Sequence, residues 1–138
     1  MQEWRPSVTI ITMNVDGLRN RNNGARMNDI LAMLLAKGPD VLMFQEVVDE
    51  MYDVLEQRLG SREWQIKRKS DPEMMYYNVT AVRRPTDAAT RYKTTSRTFD
   101  SDQGRHLLTV HYGAWTVHNV HAESGGKSTQ PRQESRAV

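Results

Sequence analysis

Pro39-Asp40-Val41-Leu42-Met43-Phe44-Gln45-Glu46-Val47 is the stretch from which the fold is read. Four apolar residues in a row follow a Gly38-Pro39 break, the mark of a short strand buried on both faces. Glu46 stands at its C-terminal end. Open α/β sheets bind ligands beyond the carboxyl ends of their strands. A carboxylate there is placed to hold a hard cation such as Mg²⁺, which takes oxygen ligands and keeps several waters. The alternative is a surface carboxylate capping the next helix.

Upstream, Ser7 to Met13 is rich in β-branched residues and reads as a strand. It runs into Asn14-Val15-Asp16-Gly17-Leu18, polar groups at a strand end followed by a glycine turn. Met27, Ile30, Leu31, Leu34 and Leu35 then recur at helical spacing, and Gly38 with Pro39 stops that helix. Downstream, Asp49, Glu50 and Asp53 open a second helix, where negative charge suits the positive end of the helix dipole. Met51, Val54, Leu55 and Leu59 form its buried stripe. Strand, helix, strand, helix at this spacing is the pattern of a layered α/β domain.

After Gly60 the pattern changes. Strands are expected over 64–69 and 75–82, with Ser70 to Glu73 as a turn. Arg91 to Thr98 alternates threonine with charge and suits a sheet edge. Leu107 to Tyr112 and Trp115 to His121 flank Gly113-Ala114 as a hairpin, and a helix is expected from Pro131. Three strand ends therefore carry polar groups: Asn14 with Asp16, Glu46, and His121 with Ser124. Taken singly, each has an ordinary reading. Asn14 and Asp16 are turn formers before a glycine, and His121 is a hairpin histidine like His111 or His118. Lys67 to Lys69 reads as a solvated edge, with nucleic-acid contact as the minority reading.

The 138 residues suit one domain. There is no cysteine, which excludes disulfides and thiolate metal sites. No apolar run approaches the roughly 20 residues of a membrane-spanning helix, and the first residues lack the features of a signal peptide. A membrane partner is not expected, and an intracellular protein is. The net charge of +2 is unevenly placed: residues 1–60 carry six Lys/Arg and nine Asp/Glu, residues 61–138 thirteen and eight. Such asymmetry allows a metal-binding acidic part beside a phosphate-attracting basic part, although it is more often only solvated surface.

Thr12-Met13-Asn14-Val15-Asp16-Gly17-Leu18, Phe44-Gln45-Glu46-Val47 and His121-Ala122-Glu123-Ser124 resemble, in order and spacing, the first three motifs of the endonuclease/exonuclease/phosphatase superfamily. The branch they resemble most is the 5′-tyrosyl-DNA phosphodiesterases. Met13 stands where that branch usually has tryptophan. The resemblance implies an α/β fold, the N-terminal half of a two-sheet sandwich of the DNase I-like type. It implies a metal-dependent phosphodiesterase acting on 5′-phosphotyrosyl or related bonds in nucleic acid, an activity of DNA repair. General nucleases and lipid or inositol phosphatases share the superfamily. By position, Glu46 matches a direct Mg²⁺ ligand, with Mn²⁺ as the other candidate ion. Asn14 matches a contact to phosphate and metal waters, and Asp16 a nearby acidic support. His121 and Ser124 match donors to the phosphate. Arg105 matches a contact to a nucleic-acid partner, DNA with a 5′ adduct. Tyr77 or Asn78 would line the same groove.

Two later motifs of the superfamily, G-D-x-N and S-D-H, do not occur. Residues 1–138 are therefore expected to form a single but incomplete domain, finished by a C-terminal half or a second copy. An uncovered apolar sheet face is expected with it. The rival expectation is a non-catalytic fragment that binds nucleic acid through Arg105, Lys67 and Arg68.

Overall fold

The computed structural model describes residues 7–19, 21–68, 75–86, 90–98 and 106–120. The quoted stretch forms β2 (Val41–Val47), the strand around which both cores are built. Successive side chains of a strand point to opposite faces, and here each face has its own core. Leu42, Phe44 and Val47 pack with Met27, Leu31, Met51 and Leu55. Val41 and Met43 pack with Val82 and Val110.

The helical side is supplied by α1 (Asn23–Leu35) and α2 (Asp49–Arg58). Met27, Leu31 and Leu34 of α1 are buried, as their spacing requires. So are Met51, Val54, Leu55 and Leu59. Gly38 adopts φ 63°, the left-handed stop that a side chain would resist. The remaining strands of the first sheet are β1 (Ile10–Asn14), β3 (Trp64–Arg68) and β4 (Tyr77–Arg83). Their order is β1-β2-β4-β3. β1 runs parallel to β2, whereas β4 lies antiparallel between β2 and β3.

The second sheet contains β5 (Tyr92–Thr98), β6 (His106–Tyr112) and β7 (Trp115–Val120), in that order and antiparallel. The β6–β7 hairpin turns at Gly113, φ 58°, the positive angle that tight hairpins demand. Tyr92, Tyr112 and Val117 of this sheet pack around Val41, Met43 and Val82. Helices, first sheet and second sheet thus stack as three layers.

The expected uncovered sheet face is not seen among the described residues. The face of the first sheet turned from the helices is closed by the second sheet, because the three strands after residue 90 fold back over it. The exposed large hydrophobics among the described residues are Leu18, Met33, Met75 and Trp115, which do not form a core-sized face. The helix expected from Pro131 lies outside the described residues.

Candidate metal and phosphate site

β1 and β2 run parallel and adjacent, so Asn14 and Glu46 stand at neighbouring carboxyl ends. The pairing register sets Asn14 opposite Gln45, one residue before Glu46. The loop after β1 is held to β2 by the Val15 amide, which donates to the Gln45 carbonyl at 3.0 Å. Asn14 Oδ1 accepts from the Asp16 amide at 2.9 Å. That turn fixes the carboxamide and makes its Nδ2 group the donor left for a ligand. Asp16 adopts φ 51°, a left-handed conformation that asparagine and aspartate tolerate better than most residues. Both Asn14 and Asp16 are exposed.

Two residues absent from the sequence reading stiffen this loop. Arg26 on α1 donates to the carbonyls of Val15 at 3.1 Å and Asp16 at 2.8 Å, and to Asn23 Oδ1 at 2.7 Å. Buried Asn23 donates to the Gly17 carbonyl at 2.9 Å. The backbone carbonyls of the turn are therefore bound from below, by the first turns of α1. The only available signal was a pair of polar residues three apart at the start of a helix. That spacing is common and gives no target.

Glu46 sits at an irregularity. The β2–β4 register shifts between Phe44 and Val47, and Glu46 has φ 58°. Bulges recur beside active sites, where they re-aim a side chain. A non-glycine residue in the left-handed region persists only where its surroundings hold it. Glu46 is half-buried.

Tyr77 is drawn into a polar cluster between α2 and β3. Its ring is buried, and its hydroxyl donates to Asp49 Oδ1 at 2.6 Å while accepting from Arg68 at 2.7 Å. Burial, and then the bond to Asp49, push its pKa well above the ordinary tyrosine value. Arg68 lies over the rings of Tyr52 and Tyr77, at 4.3 and 5.0 Å from their centroids, and faces Asp49 at 3.4 Å. It is committed to this cluster. Asp49 and Glu50 do more than begin a helix: Glu50 Oε1 accepts from the Gly24 amide at 3.0 Å, tying α2 to α1. Asn78 is buried and donates to the Asn119 carbonyl at 3.5 Å. His121, Ser124 and Arg105 lie outside the described residues.

Glu46, Asp16 and Asn14 offer only oxygen donors and an amide, a set that fits a hard divalent cation and not a soft one. Among the described residues, no group of three or more His, Cys, Asp or Glu side chains is arranged to hold a metal ion. One or two carboxylates suit an ion that retains most of its waters.

Residues 11–135 match the model of the endonuclease/exonuclease/phosphatase family. The chain belongs to this family. Among curated protein sequences none matches it significantly. Among solved structures, D. rerio TDP2 complexed with single-strand DNA product superposes with a TM-score of 0.75 at 23% identity, over 95% of this chain and 52% of that one. TDP2 from Caenorhabditis elegans, as its selenomethionine form, gives 0.72 at 24% identity, over 94% and 39%. The chain thus spans about half the length, or less, of these structures. At this identity the likeness shows a shared fold: two sheets with helices outside, of the phosphodiesterase and nuclease type that the family members adopt.

Among the described residues, no helix is long and apolar enough to cross a membrane.

Proposed function

We propose that the chain carries the metal-binding part of a Mg²⁺-dependent phosphodiesterase that acts on 5′-phosphotyrosyl or related bonds in DNA. The observation that carries this reading is that Asn14 pairs with Gln45, the residue before Glu46, at the ends of neighbouring parallel strands, in a chain of this family. Glu46 would hold the cation, with Asp16 and Asn14 beside it. When bound, that ion supplies Lewis-acid polarisation of a phosphoryl oxygen. Asn14 donates through Nδ2 to a non-bridging oxygen as negative charge grows there. It does so from a turn already bound by Arg26 and Asn23, so little reorganisation is needed. His121 and Ser124 act as further donors to the phosphate, and Arg105 contacts the strand. Asn78, beside Asn119, stays a candidate groove residue. A single-stranded DNA product in the D. rerio TDP2 structure supports nucleic acid as the partner.

The test is release of tyrosine from a 5′-phosphotyrosyl oligonucleotide, in Mg²⁺ and in EDTA, with Asn14→Ala and Glu46→Gln alongside. Expected is turnover only with Mg²⁺, lowered on the order of 10²–10³-fold by Asn14→Ala and abolished by Glu46→Gln. Turnover in EDTA, or at the wild-type rate in Glu46→Gln, would overturn the reading.

A further inference from the structure

The polar groups inside the sandwich converge on one side chain that the proposed chemistry does not use. Asn119 on β7 is 1% exposed. Its Nδ2 lies 3.1 Å from the Phe44 carbonyl, 3.0 Å from the Val79 carbonyl and 3.1 Å from Thr80 Oγ1. Its Oδ1 accepts from Gln45 Nε2 at 2.7 Å. Gln45 Nε2 also reaches Thr12 Oγ1, on β1, at 3.0 Å. One run of amide contacts therefore crosses from β7 in the second sheet, through β2, to β1 in the first.

The location of these contacts is informative. They land on Phe44 and Gln45, where the β2–β4 register is about to break and Glu46 enters its left-handed conformation. Asn119 itself stands two residues before position 121 in the chain. A buried asparagine is costly unless its donors and acceptor are used, and here both ends of the amide are. An apolar residue could fill this interior without that demand. What the amide adds is direction: it holds a carbonyl and a side chain of β2 at one distance from β7.

We propose that Asn119 and Gln45 are positioning residues that hold the bulged end of β2, and with it the Glu46 carboxylate, in register with the end of β7. The proposal rests on the reading of Glu46 as a metal ligand. Groups that orient a metal ligand cost about 10–100-fold in metal affinity when removed. Thr80 provides the control, because it touches Asn119 without touching the Gln45 side of the contact run.

The test is Mn²⁺ titration of the purified chain followed by electron paramagnetic resonance, in wild type, Gln45→Leu, Asn119→Asp and Thr80→Val. Circular dichroism confirms that each is folded. Gln45 is only half-buried, so Gln45→Leu keeps the test usable if Asn119→Asp does not fold. Expected is Mn²⁺ binding weakened about 10–100-fold in Gln45→Leu and unchanged in Thr80→Val. Wild-type affinity in folded Gln45→Leu, or an equal loss in Thr80→Val, would overturn the proposal. If the wild-type chain itself takes up no Mn²⁺, the metal reading of the site falls. The positioning role is then judged by hydrogen exchange at the Val15 amide, which donates to the Gln45 carbonyl. Faster exchange in Gln45→Leu supports the role, and an unchanged rate overturns it.

Discussion

The backbone of Gly17 lies directly against the carbonyl oxygen of Glu46. A Cβ at position 17 would overlap that oxygen and come within 2.9 Å of Val48 Cγ1. The two strand ends that carry Asn14 and Glu46 are thus packed backbone to backbone, with no room for a side chain between them. Gly17→Ala should force the loop away from β2. The expected cost is about 1–3 kcal/mol, the range for overpacking, read as a lowered urea midpoint. Divalent-ion binding should weaken in the same variant.

Arg26 sets the shape of that loop from the other side. Its guanidinium spans the carbonyls of Val15 and Asp16 and reaches Asn23. Arg26→Met leaves these acceptors without their donor and should destabilise by about 1–3 kcal/mol. Arg26→Lys should recover only part of this, because an ammonium has no planar fork. Chemical denaturation of the three proteins checks the order wild type, Arg26→Lys, Arg26→Met.

Much of the fold could be read from the chain because its signals are periodic. The apolar run of β2, the helical spacing from Met27 to Leu35 and the Gly38 stop each specify local structure without reference to anything distant. The edge character of Arg91 to Thr98 followed from alternation, and it does form the outer strand β5. That Asn14 and Glu46 stand at the ends of strands was legible from the runs that precede them. What could not be read depends on partners far apart in sequence. Asn119 contacts residues about 40 and 75 positions away, and nothing local distinguishes it from an ordinary hairpin asparagine. Tyr77 is the converse case. By position the family resemblance made it a groove candidate, and its hydroxyl bonds to Asp49 and Arg68 across the sheet edge.

The raised pKa of Tyr77 gives a signed dependence on pH. The folded state holds this proton more tightly than the unfolded chain, whose tyrosines titrate near 10. The stabilisation is complete below pH 10. Above it the unfolded state releases the proton first, so stability falls as pH rises. Tyr77→Phe should flatten that fall. Melting temperatures of both proteins at pH 8 and 10.5 measure the difference in slope.

Phe44 anchors the helical core from the middle of β2 and is fully buried. Phe44→Ala should cost about 3–5 kcal/mol, lost burial plus the cavity left behind. A loss below 1 kcal/mol by denaturant titration would show that β2 is not the centre of the core.

The central claim is that Glu46, presented beside Asn14 by two parallel strand ends, binds a divalent cation. Mn²⁺ titration of wild type against Glu46→Gln, followed by electron paramagnetic resonance, tests it most directly. Glu46→Gln keeps the shape of the side chain and removes its charge. The account predicts one bound Mn²⁺ in the wild-type chain, displaced by Mg²⁺, and a loss of affinity of at least about tenfold in Glu46→Gln. Equal Mn²⁺ affinity in the two folded proteins would contradict it.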